Sequence, residues 1–236
     1  LRAGDEVLVT DGLKKGFDGK ELFSDLSLTV RRNERVFILG PNGCGKSTFL
    51  KIINREISQD KGTFRYGVNV KKGYFAQNIE NVNVNKTALD DVWDMYPSMT
   101  ETEVRSALAM FLFCGDDVYK TVASLSGGEK AKLSLLKIML KKPNFLILDE
   151  PTNHLDISSR EVLENALLSF GGTLLCVSHD RYFINKLATR VIYLSHDGAV
   201  EIEGNYDDYL NYLENSEKTP EASQKPAEKP KVNDYK

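Results

Sequence analysis

Residues 40–48 read Gly-Pro-Asn-Gly-Cys-Gly-Lys-Ser-Thr, and few strings of this length restrict a fold so tightly. The pattern GxxxxGK[ST] functions only between a buried strand and a helix. Gly40, Gly43 and Gly45, with Pro41, Asn42 and Cys44 between them, allow the loop to close its backbone N–H groups around phosphate oxygens. Lys46 reaches the terminal phosphates, and Ser47, with Thr48 as a reserve hydroxyl, offers an oxygen to Mg²⁺. The flanks are those the loop requires. Arg35–Leu39 is a short apolar run that predicts a buried parallel strand, and Phe49, Leu50, Ile52 and Ile53 recur in the segment that follows, which predicts a helix from about Lys46.

The rest of the chain alternates between the two periodicities. Val7–Thr10 and Leu22–Val30 predict an N-terminal antiparallel β subdomain, and Thr63–Tyr66 and Val70–Phe75 predict two strands around a turn at Gly67. The Asn-rich residues 78–85 read as a loop. Thr100 with Glu103 forms a capping box, followed by Val104, Leu108, Phe111 and Leu112 at helical spacing, and residues of about 86–124 form a small helical subdomain. Ser126 with Glu129 opens a second helix to about Leu140, and Ser158 with Glu161 a third that ends before Gly171-Gly172. Phe145–Leu148 and Thr173–Val177 are buried strands. A helix from Asp180 leads to Val191–Leu194 and Val200–Glu203, joined at Asp197-Gly198, and a last helix spans Tyr206–Leu213. Strands and helices in this order imply an α/β fold with a mostly parallel core sheet flanked by helices.

A domain of residues 1–215 is large enough to bury a core without cross-links, and Cys44, Cys114 and Cys176 read as reduced thiols of a cytoplasmic protein, not as a disulfide or zinc framework. Cys44 is either a small residue tolerated in the loop or a thiol acidified by its amides. The net charge of −3, from 31 basic and 34 acidic residues, gives no global footprint for nucleic acid. No window is apolar for long enough to span a bilayer, and residues 1–6 do not form a signal peptide. From 216 to 236 the composition turns to Lys, Glu, Pro, Ser and Gln, a segment too polar to offset its ordering entropy, and it reads as a disordered linker or tail. The first residue is Leu, so the chain is expected to be a piece of a longer protein.

Asp149 and Glu150 follow the apolar strand 145–148. Their carboxylates are expected at the carboxyl edge of the sheet, beside the phosphate loop, where Asp149 can hold Mg²⁺ through water and Glu150 can polarise the water that attacks the terminal phosphate. Ser126-Gly127-Gly128 places a helix N-terminus next to two glycines. By capping logic alone it is either a helix start or an anion site.

Together, the phosphate loop, Leu125-Ser126-Gly127-Gly128-Glu129 and Leu146-Ile147-Leu148-Asp149-Glu150-Pro151 resemble the ATP-binding cassette ATPases. That resemblance, over about residues 5–213, implies hydrolysis of ATP with Mg²⁺. Ser126, Gly127 and Gly128 would contact the γ-phosphate held by another cassette, so one cassette carries two half-sites and needs a second to hydrolyse ATP well. Gln77 would touch Mg²⁺ and the attacking water, His179 would bind the γ-phosphate and position the water beside Glu150, Asp156 would reach across the cassette interface, and Phe17 would stack on adenine. The string Asp149-Glu150-Pro151-Thr152-Asn153-His154-Leu155-Asp156 resembles the soluble class F branch, which carries two cassettes in one chain and no membrane domain. Phe111–Lys120 is similar to the second of those cassettes. The class implies a cytoplasmic, ribosome-associated factor, acting near rRNA and tRNA in translation or in antibiotic protection. The residues leave two alternatives, a nucleotide-binding subunit of a membrane transporter and a clamp that uses ATP without turnover.

Overall fold

The computed structural model describes residues 4–76, 85–153, 155–195 and 198–217. Two sheets organise them. The smaller is antiparallel, order β2-β1-β4, from β1 (Glu6–Phe17), β2 (Lys20–Arg31) and β4 (Lys61–Tyr66). The larger has the order β5-β6-β7-β3-β8-β9, from β3 (Arg35–Leu39), β5 (Lys72–Phe75), β6 (Phe145–Asp149), β7 (Thr173–Val177), β8 (Arg190–Ser195) and β9 (Gly198–Glu203). Its first five strands run parallel, and β9 closes the edge antiparallel to β8.

Parallel strands buried on both faces should be apolar throughout, and all five residues of β6 and of β7 are buried. Side-chain alternation divides the core in two. Phe37, Leu39, Leu146, Leu148, Leu174 and Cys176 face a helical layer of α4 (Gly127–Leu140), α5 (Ile157–Leu168) and α6 (Arg181–Leu187). Val36, Ile38, Phe145, Ile147, Leu175 and Val177 face the smaller sheet and α1 (Lys46–Asn54). Helix α1 buries Phe49, Leu50, Ile52 and Ile53 there. At about 1.5–3 kcal/mol for each fully buried side chain, this face alone holds the start of α1 against the sheet.

The helical subdomain contains α2 (Ala88–Trp93), α3 (Glu101–Met110) and short 3₁₀ turns at Gly115–Tyr119 and Val122–Ser124. A buried ion pair, Lys137 Nζ to Asp91 Oδ2 at 2.8 Å, ties α2 to α4. Helix α7 (Tyr206–Glu217) ends the described chain and runs two residues into the span assigned above to the tail.

Four local expectations are corrected. The segments around Gly67 are not a pair: β4 joins the small sheet and β5 the large one, because residues 67–71 carry the chain between layers. The hairpin β1–β2 extends to Phe17 and Lys20, well beyond Val7–Thr10. Leu112 is not on the buried face of α3, since the helix ends at Met110 and Leu112 takes a left-handed φ of 61° with its side chain exposed. The third helix is capped by Asp156, whose Oδ1 accepts from the Ser159 N–H at 2.7 Å, and not by Ser158 with Glu161. A carboxylate outcompetes a hydroxyl for the exposed N–H groups of a first turn. The boxes at Thr100 and Ser126 are both present. The loop 78–84, and Asp197 of the β8–β9 connection, lie outside the described residues.

Candidate active site

The carboxyl ends of three parallel strands converge on one place. β3 runs into the phosphate loop, β6 ends at Asp149, and β7 delivers Ser178 and His179. In an open α/β sheet this edge collects ligands, because strand-end carbonyls, loops and helix N-termini meet there without side chains filling the space.

The loop geometry depends on glycine at two positions above all. Gly40 has φ 146°, and a Cβ there would lie 2.1 Å from the Leu194 carbonyl oxygen; Gly45 has φ 102°, and its Cβ would lie 2.8 Å from the Phe23 ring. Gly45 is also the N-cap of α1, so the first N–H groups of that helix stay open toward the cavity. Lys46 is buried along its stem and donates from Nζ to the carbonyls of Gly40 at 2.8 Å and Pro41 at 3.0 Å. This curls the ammonium over the loop it must serve.

Ser47 Oγ donates to Asp149 Oδ1 at 2.9 Å, joining two residues 102 positions apart. A hydroxyl and a carboxylate oxygen are hard donors that suit Mg²⁺, an ion that takes few protein ligands and fills its octahedron with water and phosphate oxygens. Among the described residues no group of three or more His, Cys, Asp or Glu could hold a metal alone. An ion here would therefore draw further ligands from nucleotide and water. Burial raises the Asp149 carboxyl above its ordinary range, and the Ser47 hydrogen bond opposes the rise.

Glu150 is the most constrained residue of the site. Its φ is 49°, left-handed for a side chain that avoids that region, and its N–H donates to the Val177 carbonyl at 2.9 Å. The left-handed turn costs roughly 1–2 kcal/mol. It directs the carboxylate back across the sheet edge, where Oε1 lies 3.3 Å from His179 Nε2. The other oxygen, Oε2, is buried with no partner. Burial pushes the Glu150 carboxyl up, and the His179 side chain and backbone N–H pull it part of the way back. An orphan carboxylate oxygen beside an imidazole suits a base that takes a proton from water.

Asn42, Gly43, Gly45, Lys46, Ser47, Thr48, Glu150 and His179 line one cavity of about 380 Å³, with Leu22 and Asn153. Leu22 was not legible as a site residue, because it arrives from the other sheet with no local motif. Asn153 sits in a string that invited attention to its neighbours. Gly40 and Pro41 border an adjoining groove that also reaches His179. Cys44 is fully buried under the loop.

The remaining expected residues that the structure describes lie away from this cavity. Ser126 caps α4 by accepting from the Glu129 N–H, with Gly127 and Gly128 in the first turn. A Cβ on Gly128 would come within 2.9 Å of Ser159 Oγ, so that turn is packed against the start of α5, where Asp156 stands. Asp156 is exposed, and the Ser159 N–H and Ser158 hydroxyl hold its carboxyl below the usual range. Phe17 ends β1, is exposed, and has Lys15 Nζ 4.9 Å from its ring centroid. It does not line the cavity. Gln77 lies outside the described residues.

The sequence model for the ABC transporter family matches residues 23–153, more than half of the chain, from β2 through Asp149 and Glu150. The chain belongs to that family. It is a single ATP-binding cassette, and its relatives are of the class F type. It is 49% identical over 232 residues to YdiF of Bacillus subtilis (strain 168), covering 93% of this chain and 36% of that protein. It is 41% identical to ABC transporter F family member 2 of Arabidopsis thaliana (88% and 31%). It is 39% identical to the energy-dependent translational throttle protein EttA of Escherichia coli (strain K12) (89% and 39%). The cassette thus spans between 31% and 39% of the length of these relatives. Its fold is also similar to a dimeric ATP-binding cassette solved in a post-hydrolysis state with ADP and phosphate, with a TM-score of 0.71 at 22% identity over 83% of this chain and 98% of that one. Among the described residues no helix is long and apolar enough to cross a membrane.

Proposed function

We propose that this cassette binds ATP with Mg²⁺ and hydrolyses it to ADP and phosphate, head to tail with a second cassette, as part of a class F protein that acts on the ribosome. The observation that carries the ATPase reading is the pairing of Glu150 with His179 over the cavity bordered by Lys46 and Ser47. Lys46 and the loop N–H groups neutralise the phosphates. Ser47 and Asp149 would hold Mg²⁺, which supplies charge neutralisation to the β- and γ-phosphates. Glu150 Oε2 accepts a hydrogen bond from the attacking water, and His179 orients that water toward the γ-phosphorus.

The second cassette is supported by where Ser126, Gly127 and Gly128 stand. They begin α4 outside the cavity, with Ser126 and Gly127 exposed at a helix N-terminus suited to an anion that another cassette presents. Gln77 and Asp156 complete this proposed machinery, Gln77 at the metal and water and Asp156 across the interface. The ribosomal role is supported by the likeness to EttA, named a translational throttle.

Two measurements test the proposal. Phosphate release by the chain should rise more than linearly with protein concentration and vanish in E150Q. Linear dependence would remove the second cassette, and unchanged turnover in E150Q would remove the catalytic base. The full-length protein containing this chain, with Glu150→Gln, should pellet with ribosomes in ATP and not in ADP. Failure to pellet in either nucleotide, with ATP bound, would set the ribosomal role aside.

A further inference from the structure

We propose that Arg160 is a positioning residue for His179, acting through Asp180, and that it links the Asp156 turn to the histidine; this deepens the ATPase reading and rests on it. His179 projects into the cavity from a short segment between β7 and α6, and both of its neighbours are held. Ser178 is fully buried, and its Oγ accepts from the Asp180 N–H at 3.1 Å. Asp180 Oδ1 caps α6, accepting from the N–H groups of Tyr182 at 3.0 Å and Phe183 at 3.2 Å. Its second oxygen, Oδ2, accepts from Arg160 Nη1 at 2.8 Å.

Arg160 is the first residue of α5 whose N–H bonds back to the Asp156 carbonyl, at 3.0 Å. Two hydrogen bonds and one peptide link therefore separate Asp156 from His179. Alongside runs a groove of about 510 Å³ lined by both Arg160 and His179. It leaves the imidazole, which is half exposed, room to turn away from Glu150. Asp180 has one carboxylate for two tasks, and the bridge to Arg160 sets which way its plane faces, and so the direction in which the adjacent His179 leaves the backbone. A displacement of the Asp156 turn by a second cassette would reach His179 by this route.

The Arg160 side chain is 40% exposed and that of Asp180 13%, so the pair contributes to stability as well as to position. The split between kcat and KM, the lysine rescue and the double variant carry the distinction between a positioning role and a structural one. In steady-state phosphate release by the 236-residue chain, Arg160→Met should lower kcat about tenfold, the scale on which residues touching neither ligand modulate coupling. KM for ATP should stay within about twofold of wild type. Arg160→Lys should recover most of the rate. Asp180→Asn, which keeps the α6 cap, should lose as much as Arg160→Met, and the double variant no more than either. Wild-type kcat in Arg160→Met, a raised KM in place of a lowered kcat, or losses that multiply in the double variant would each overturn the proposal. A wild-type chain that neither binds nor hydrolyses ATP would instead overturn the ATPase reading, and this inference with it.

Discussion

Glu150→Gln should do two opposite things, and the structure sets the size of each. The substitution keeps the shape of the side chain and removes the charge. Its catalytic effect follows from losing a positioned base, about 10²–10⁴ in kcat. Its effect on stability follows from burial. Glu150 is 9% exposed and Oε2 has no partner. The glutamine amide leaves a polar atom in the same place, so only the charge part of the burial cost is relieved, and that part lies at the low end of about 1–3 kcal/mol because the residue borders an open cavity. The variant should therefore be more stable than wild type at pH 7 by about 1 kcal/mol, or about 2–4 °C in melting temperature for a chain of this length.

The pH dependence has a definite sign. Burial, the largest cause, raises the folded-state pKa of Glu150 above the usual glutamate value of 4.5. The folded state then holds the proton more tightly than the unfolded one, so this group favours folding below the usual value, and that benefit is lost as pH rises through the raised pKa. The advantage of Glu150→Gln should be present at pH 7 and shrink toward pH 4. In wild type, kcat/KM, which reports the free enzyme, should rise with pH through the same raised value as the base ionises. Thermal melts at several pH values with parallel phosphate-release assays read both effects. Wild-type turnover, or a variant less stable than wild type at pH 7, would refute the reasoning.

Lys46→Ala removes the ammonium now hydrogen-bonded across the loop, and ATP affinity by titration calorimetry should fall about 100-fold, the size of a lost charge-assisted contact. Wild-type affinity would overturn the phosphate-loop assignment. Gly45→Ala forces a Cβ toward the Phe23 ring at φ 102°, so nucleotide binding should be lost and the melting temperature should drop by about 4 °C or more; an unaltered melt with normal binding would show that the loop tolerates the collision. Lys137→Met takes the ammonium from buried Asp91 and should cost about 3 kcal/mol in denaturant unfolding, with Asp91→Leu in the same chain recovering much of it. Equal losses with and without Asp91→Leu would mean that the pair is not the reason.

The phosphate loop, the capping boxes at Thr100 and Ser126, and the buried strands 35–39, 145–148 and 173–177 were legible in the sequence because each is specified by neighbours along the chain. A left-handed glycine, a hydroxyl three residues before a glutamate and an unbroken apolar run act locally, so their order declares itself. The cap of α5 was misread for a related reason. Ser158-Ser159-Arg160-Glu161 satisfies the pattern of a box, and only the folded start of the helix shows Asp156 already accepting the Ser159 N–H.

What the sequence by itself determined was therefore the inventory: a phosphate-binding loop, two acids at a strand exit, a histidine after another strand, and a capped glycine pair that the loop does not need. Tertiary structure decided which of these meet. Ser47 and Asp149 are 102 residues apart, and β6 and β3 are not neighbours, since β7 lies between them. Strand order is a property of pairing across the whole sheet, which no local pattern encodes. The same order brings Leu22 from a different sheet to the cavity wall, turns Glu150 onto His179 through a left-handed residue, and leaves Phe17 outside. Side-chain chemistry can be read residue by residue, whereas distances between distant residues are set by the packing of layers, and the site of this cassette consists of such distances.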